Sequence, residues 1–134
     1  MVEFGGWKMP VQYSGPEAAK LMDYVTTNWA SRLKCGRARY SGRLYEHGGF
    51  VDDILAHKVA DDSFFLCVNA SNQEKDFVHM QAANKFDCVV ELAGDRSAQL
   101  AIQGPKAQET AQQLTEIPLT RIKYYRNLRS RHGK

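Results

Sequence analysis

Two adjacent carboxylates, Asp52 and Asp53, follow a Gly48-Gly49 turn at the head of the strand-like run Phe50-Val51-Asp52-Asp53-Ile54-Leu55. Side chains on a strand alternate faces, so inside a sheet the pair cannot both point at solvent. One carboxylate must turn inward. A carboxylate in a water-poor position has its ionised form disfavoured unless donors or a cation meet it, and positions built that way are candidates for acid–base or cation-orienting work. Asp52 is the candidate, with a carboxylate bonded to the backbone of the glycine turn as the equal alternative. Tyr40, on the strand across the turn, is expected to stand beside Asp52, its alternative being a half-buried strand tyrosine. Asn69 ends a further strand just before a helix, a place for a ligand-gripping amide or for a plain turn asparagine. Trp7, after Gly5-Gly6, can stack on a flat ring or simply pack.

These residues need a scaffold, and the pattern around them supplies one. Gly15-Pro16 followed by Ala18, Leu21, Met22, Val25 and Trp29 gives a helical stripe, with Pro16 suited to the first turn. The pattern predicts strands over 38–45, 50–59 and 64–68, a three-stranded meander turned at His47-Gly48-Gly49 and Asp61-Asp62-Ser63. Ser71-Asn72-Gln73-Glu74 fits a capping box, which predicts a helix carrying Phe77, Met80 and Ala83. Strands are expected over 88–92 and 99–103, then a last helix from Gly104-Pro105 with Ala107, Thr110, Ala111 and Leu114 on one face. Gly15-Pro16-Glu17-Ala18 and Gly104-Pro105-Lys106-Ala107 echo one another, which suggests two pseudo-equivalent halves, each laying a helix on a shared sheet. The expected class is α+β with a mostly antiparallel sheet and packed helices.

Composition narrows the function classes. A chain of 134 residues, 43% hydrophobic and 25% charged, is sized for one domain with a real core. No apolar run approaches the roughly 20 residues of a membrane span, and the first residues show no secretory pattern. Cys35, Cys67 and Cys88 form no C-x-x-C pair and suit a reducing compartment, and the four histidines show no metal-ligand spacing. The formal charge of +3 is a property of the end of the chain: Arg121, Lys123, Arg126, Arg129, Arg131 and Lys134 are six of the 18 basic residues. Residues 1–120 hold the other 12 against all 15 acidic ones, a net of −3. A nucleic-acid reading would rest on that tail alone, so neither nucleic acid nor membrane is an expected partner.

Five blocks in order carry a family resemblance: residues 4–13 (Phe-Gly-Gly-Trp-Lys-Met-Pro-Val-Gln-Tyr), 36–41 (Gly-Arg-Ala-Arg-Tyr-Ser), 48–53 (Gly-Gly-Phe-Val-Asp-Asp), 68–76 (Val-Asn-Ala-Ser-Asn-Gln-Glu-Lys-Asp) and 103–105 (Gln-Gly-Pro). Together they resemble aminomethyltransferase, the T-protein of the glycine cleavage system, over nearly the whole chain to about Arg126. The resemblance implies a partial N-terminal folate-binding domain of the T-protein fold over residues 1–126, with a basic tail over 127–134. It implies an enzyme that takes an aminomethyl group from the lipoyl arm of the H-protein, releases ammonia and passes the one-carbon unit to tetrahydrofolate. Asp52 matches the family aspartate that meets the attacking folate nitrogen, where a carboxylate orients the amine and stabilises developing positive charge. Tyr40 and Asn69 match the family's folate-contacting tyrosine and asparagine; no metal is implied. The implied setting is the cytoplasm, or the mitochondrial matrix in a eukaryote.

The chain departs from the family in three places. Family members begin some twenty residues earlier, so Met1 reads as an internal methionine. After Gly15-Pro16 the chain passes straight to Glu17-Ala18-Ala19-Lys20, which in the family follows a second Gly-Pro; a helix and a strand between them are missing. The match ends near Tyr124-Tyr125-Arg126, without the Gly-Tyr-Thr-Gly-Glu block whose glutamate grips the pterin. The missing strand is expected to leave an unpaired sheet edge, and the missing clamp to leave an inactive or impaired fragment. The alternatives are a non-catalytic folate-binding relative, argued against by the presence of Asp52, and a folate domain of a sarcosine or dimethylglycine dehydrogenase, argued against by residues 4–13.

Overall fold

The computed structural model describes residues 10–97 and 99–128. Trp7 and the first block up to Met9 lie outside them, as do residues 129–134 of the expected basic tail. Five strands form one antiparallel sheet in the order β2-β3-β4-β1-β5: β1 Pro10–Ser14, β2 Ala38–Leu44, β3 Phe50–Ala60, β4 Ser63–Cys67 and β5 Val89–Leu92. Two helices, α1 Ala18–Val25 and α2 Gln73–Ala83, cover one face. The class is α+β, as the pattern of alternating and helical stripes predicts, and β2, β3 and β4 form the expected meander.

The core lies between that face and the helices. Val11 and Tyr13 of β1, Ile54 and Ala56 of β3, and Phe64 and Leu66 of β4 alternate inward and meet Leu21, Met22 and Val25 of α1 and Met80 of α2, with Phe77 and Ala83 packed at the margin. Burial of this apolar surface is the main stabilising term. Helix α1 stops four residues short of Trp29: the Thr26 hydroxyl donates back to the Met22 carbonyl at 2.7 Å, ending the turn, and Trp29 lies exposed with the Arg32 guanidinium 3.7 Å over its ring.

Strand β1 sits in the interior of the sheet, paired with β4 on one side and β5 on the other, and the sheet is open, with β2 and β5 at its edges. The capping box fails. A 3-10 turn at Ala70–Asn72 precedes α2, and no side chain caps the helix. Asn72, at the cap position, instead spends its amide on Asp52.

The Gly-Pro echo extends much further than four residues. Counterparts lie 89 residues apart, Gly104 after Gly15 and Arg126 after Arg37. Both glycines have positive φ, +131° and +114°, and in each copy the alanine three residues on donates to the glycine carbonyl at 3.0 Å. Helix α1 is matched by α3 Ala107–Gln112, and the 3-10 turn at Ala30–Arg32 by one at Leu119–Arg121. The copies meet at an Arg37–Arg126 bridge. Ala38 N–H donates there to Tyr125 C=O at 2.9 Å, and Asn127 N–H to Gly36 C=O at 3.0 Å, bonds that exchange under a two-fold axis. This pairing runs one residue past the expected boundary at 126.

The halves do not share the sheet, however. Residues 99–103, the counterpart of β1, form no strand, Leu100 is 73% exposed, and α3 has no buried residue. The pattern of 99–103 suits a strand, but among the described residues no strand lies beside it to take its hydrogen bonds.

This difference between the copies makes a test. A Cβ on Gly15 would come within 2.8 Å of Cys88 Cα and 2.9 Å of the Asp87 carbonyl oxygen, whereas one on Gly104 meets nothing within 4 Å. Gly104→Ala is expected to cost only the left-handed backbone strain, about 1–2 kcal/mol. Gly15→Ala adds a clash with backbone that cannot swing aside, and is expected to cost at least twice as much in urea unfolding. Equal costs would mean that the contact with Asp87 and Cys88, just before β5, does not constrain the turn.

Candidate functional site

Strand β3 carries both carboxylates within its 11 residues, and its entry is a tight turn in which Gly48, at φ +83°, donates to the Tyr45 carbonyl at 2.8 Å. Alternation then separates the pair. Asp52 lies on the helix-covered face with Ile54 and Ala56 and is buried; Asp53 lies on the opposite, open face and is half-buried. The inward carboxylate demanded by two adjacent aspartates in a sheet is therefore Asp52.

Its surroundings come from three elements. Asn69, between β4 and the 3-10 turn, donates through Nδ2 to Asp52 Oδ1 at 2.9 Å, and Asn72 Nδ2 donates to the same oxygen at 3.0 Å. The Asn69 amide also reaches Asp53 Oδ1 at 3.2 Å, so it ties the two carboxylates together across the strand. Burial by itself pushes the Asp52 pKa up, but the neighbouring Asp76 side chain, the Asn69 and Asn72 amides and the Asp53 backbone outweigh it and hold the carboxyl below its ordinary range. The hydrogen bonds that favour its ionised form come from neutral amides on Oδ1, not from a bonded cation.

The cation lies one step further in. Arg43 of β2 is opposite Asp52 in the register and, like Asp76 of α2, is wholly buried. Its Nη1 is 2.9 Å from Asp76 Oδ1; the N–H does not align on that oxygen, so the contact is Coulombic rather than a hydrogen bond. Arg43 Nη2 lies 2.6 Å from His79 Nδ1. Arginine only donates, so that nitrogen accepts, in keeping with a His79 pKa lowered by burial and by Arg43. Burial and the neighbouring Asp52 raise the Asp76 pKa to about 7 against the opposing pull of Arg43. Lys75 donates to the Val51 carbonyl at 2.7 Å and holds α2 against the start of β3.

Tyr40 is not where the sequence places it. It pairs with Leu55, on the open face, and its hydroxyl donates to Asp53 Oδ2 at 2.5 Å, a bond that raises the phenol pKa first among its causes. The expectation that Tyr40 stands beside Asp52 is corrected to Tyr40 beside Asp53, with Asn69 as the link. The physical reason is register: Asp52 faces Arg43, and the next two-residue step on β2 brings Ser41, not Tyr40, to that side.

Two clefts flank this arrangement. Tyr40 lines one of about 820 Å³ with Arg37, Arg39 and Tyr125. The other, about 700 Å³, lies over the open sheet face against His57, Phe65, Cys67 and Arg96. Asp52 lines neither. Among the described residues no group of three or more His, Cys, Asp or Glu is arranged to hold a metal ion, and no helix is long and apolar enough to cross a membrane.

Sequence reasoning missed Arg43, Asn72, Asp76 and His79. One signal was available: Asn72 and Asp76 are four apart and so share a face of the α2 turn. A buried arginine at an inward strand position gives no such signal, since arginine alternating with Tyr40 and Gly42 reads as a solvated charge.

The comparisons with known proteins agree with one another. The model of the GCVT N-terminal domain matches residues 11–133. The chain is 38% identical to the aminomethyltransferase of Koribacter versatilis over 93% of its own length and 41% of that protein's. It is 42% identical to that of Chloroherpeton thalassium and 39% to that of Thermotoga maritima, again over 93% of the chain and 42% of each relative. These alignments run over 153 positions and more, longer than the chain itself, so the relatives carry residues that this chain lacks within the matched span. The crystal structure of glycine cleavage system aminomethyltransferase T from Bartonella henselae superposes with a TM-score of 0.59 at 32% identity, covering 61% of this chain and 23% of that one. The chain thus spans about two fifths of the length of the curated relatives it matches. On these matches, and with the α+β fold that accompanies them, the chain belongs to the GCVT N-terminal domain family, that of the aminomethyltransferases.

Proposed function

We propose that this chain is the folate-binding portion of a glycine cleavage aminomethyltransferase, with Asp52 as its catalytic carboxylate and Asn69 and Tyr40 at the folate site. The observation that carries this reading is the state of Asp52. It is buried and its pKa is lowered, yet it is held by amide donors while the Arg43 guanidinium faces Asp76. Such a carboxylate keeps its charge available to an N–H group, or to positive charge developing beside it. Tetrahydrofolate supplies the nucleophilic nitrogen, and the H-protein's lipoyl arm supplies the aminomethyl group whose carbon is transferred as ammonia leaves. In this chain Asn69 fixes Asp52, and through Asp53 it also fixes Tyr40 on the open face.

The chain covers only part of its relatives, and a fragment that holds some of the substrate donors positions the reacting groups poorly. Mixed with aminomethyl-loaded H-protein and tetrahydrofolate, it is expected to release ammonia and form methylenetetrahydrofolate at least about 100-fold more slowly than a full-length aminomethyltransferase. Equal turnover would refute the impairment. The second reading, a non-catalytic folate-binding relative, is favoured by Asp52 lining neither cleft; binding of tetrahydrofolate with no ammonia release above background would establish it.

A further inference from the structure

The cluster behind Asp52 has an unresolved polar balance. Asp52 Oδ2, both oxygens of Asp76, and Nε and Nη1 of Arg43 are buried, and none has a hydrogen-bond partner among the described residues. These three residues are 0–7% exposed. Orphaned charged atoms at such depth are costly. Two ionised carboxylates only accept, so Asp52 and Asp76 cannot bond to each other in that state. One proton between them removes the difficulty: a carboxylic acid donates to a carboxylate, and the two side chains interact directly. Charge balance agrees, since Arg43 with one carboxylate is neutral and with two is not.

We propose that Asp76 is the positioning residue for Asp52: it holds the proton of a shared carboxyl pair, with Arg43 on its far side, and so fixes Asp52 as a single, oriented anion. The asymmetry follows from the neighbours. Asp52 Oδ1 has two amide donors, from Asn69 and Asn72, which favour its ionised form. Asp76 has no such donors, and its raised pKa has the same direction. The other titratable and charged groups facing the pair are Arg43 on β2, Lys75 and His79 on α2, Tyr13 on β1 and Asp53 on β3. Lys75 is engaged with the Val51 carbonyl, and His79 accepts from Arg43, so neither takes the proton's place. The function of the arrangement rests on the folate reading: a fixed anion at Asp52 receives a ligand nitrogen, while a second ionised carboxylate at Asp76 would repel Asp52 and release it from that orientation.

Carbonyl 13C NMR of aspartate-labelled chain tests this without reference to activity. One aspartate Cγ is expected to titrate near neutral pH. It should vanish from the spectrum in Asp76→Asn, and its midpoint should drop by at least one pH unit in Asp52→Asn, where the partner charge is gone. If every aspartate of the wild-type chain titrates below pH 5, no proton is shared and the proposal is overturned; this arm needs no variant to fold. Tetrahydrofolate titrations at pH 6 and pH 8.5 read the consequence. Wild type is expected to bind at least tenfold more weakly at the higher pH, and Asp76→Asn, whose amide donates at both, to lose that dependence. A neutral-pH titration in a chain that binds no tetrahydrofolate at either pH would uphold the shared proton and reject the folate reading.

Discussion

Replacing Arg43 with methionine is expected to destabilise the chain by about 3–5 kcal/mol, the range for removing one partner of a buried ion pair. A domain of this size is held by only about 5–15 kcal/mol in total, so the melting temperature should fall by about 10 °C or more. Methionine fills much of the arginine stem's volume, which separates the loss of charge from the opening of a cavity. The cost arises because the buried Asp52–Asp76 pair loses the guanidinium that faces it. A double variant, Arg43→Met with Asp76→Leu, removes the stranded carboxyl as well. It should recover part of the loss, with a coupling of about 1–3 kcal/mol between the sites. Additive losses would mean that Arg43 stabilises through its stem and His79 rather than through the carboxyl pair.

How much of this was legible beforehand depends on the residue. Alternation in β3 was enough to say that one of Asp52 and Asp53 turns inward, and the structure shows which. The meander, α1 and the apolar stripe of α2 follow from periods of 2 and 3.6 residues, and they formed because local pattern and tertiary packing agree. Where the reading failed, a non-local partner decided the outcome. Asn72 left the capping pattern for Asp52, 20 residues away in sequence. Residues 99–103 have a strand's pattern, but no neighbouring strand meets them among the described residues. Tyr40 lies on the expected strand but meets Asp53 rather than Asp52, since proximity along a hairpin does not fix which face a side chain takes. Arg43 and Asp76 were invisible because their charges read as solvated surface. Only the fold brings them together inside.

Asp52→Ala carries the other large expectation, and it bears on ligand binding rather than on the core. A ligand at about 100 times its dissociation constant stabilises the protein that binds it by about 2.7 kcal/mol. In the wild-type chain that gain requires Asp52 to be ionised and held, conditions that Asn69, Asn72 and Asp76 meet. Alanine removes the carboxylate and frees both asparagine amides, leaving the ligand nitrogen nothing charged to meet. The variant also changes baseline stability through its cluster, so the informative quantity is the ligand-dependent increment within each protein, not the melting temperature itself.

That increment is the measurement to make: thermal unfolding of the wild-type chain and of Asp52→Ala, each with and without saturating tetrahydrofolate. The account predicts a cooperative wild-type transition that rises with tetrahydrofolate and a rise that is lost, or nearly so, in Asp52→Ala. A wild-type transition indifferent to tetrahydrofolate, or a rise of equal size in both proteins, would contradict the placement of Asp52 at a folate site.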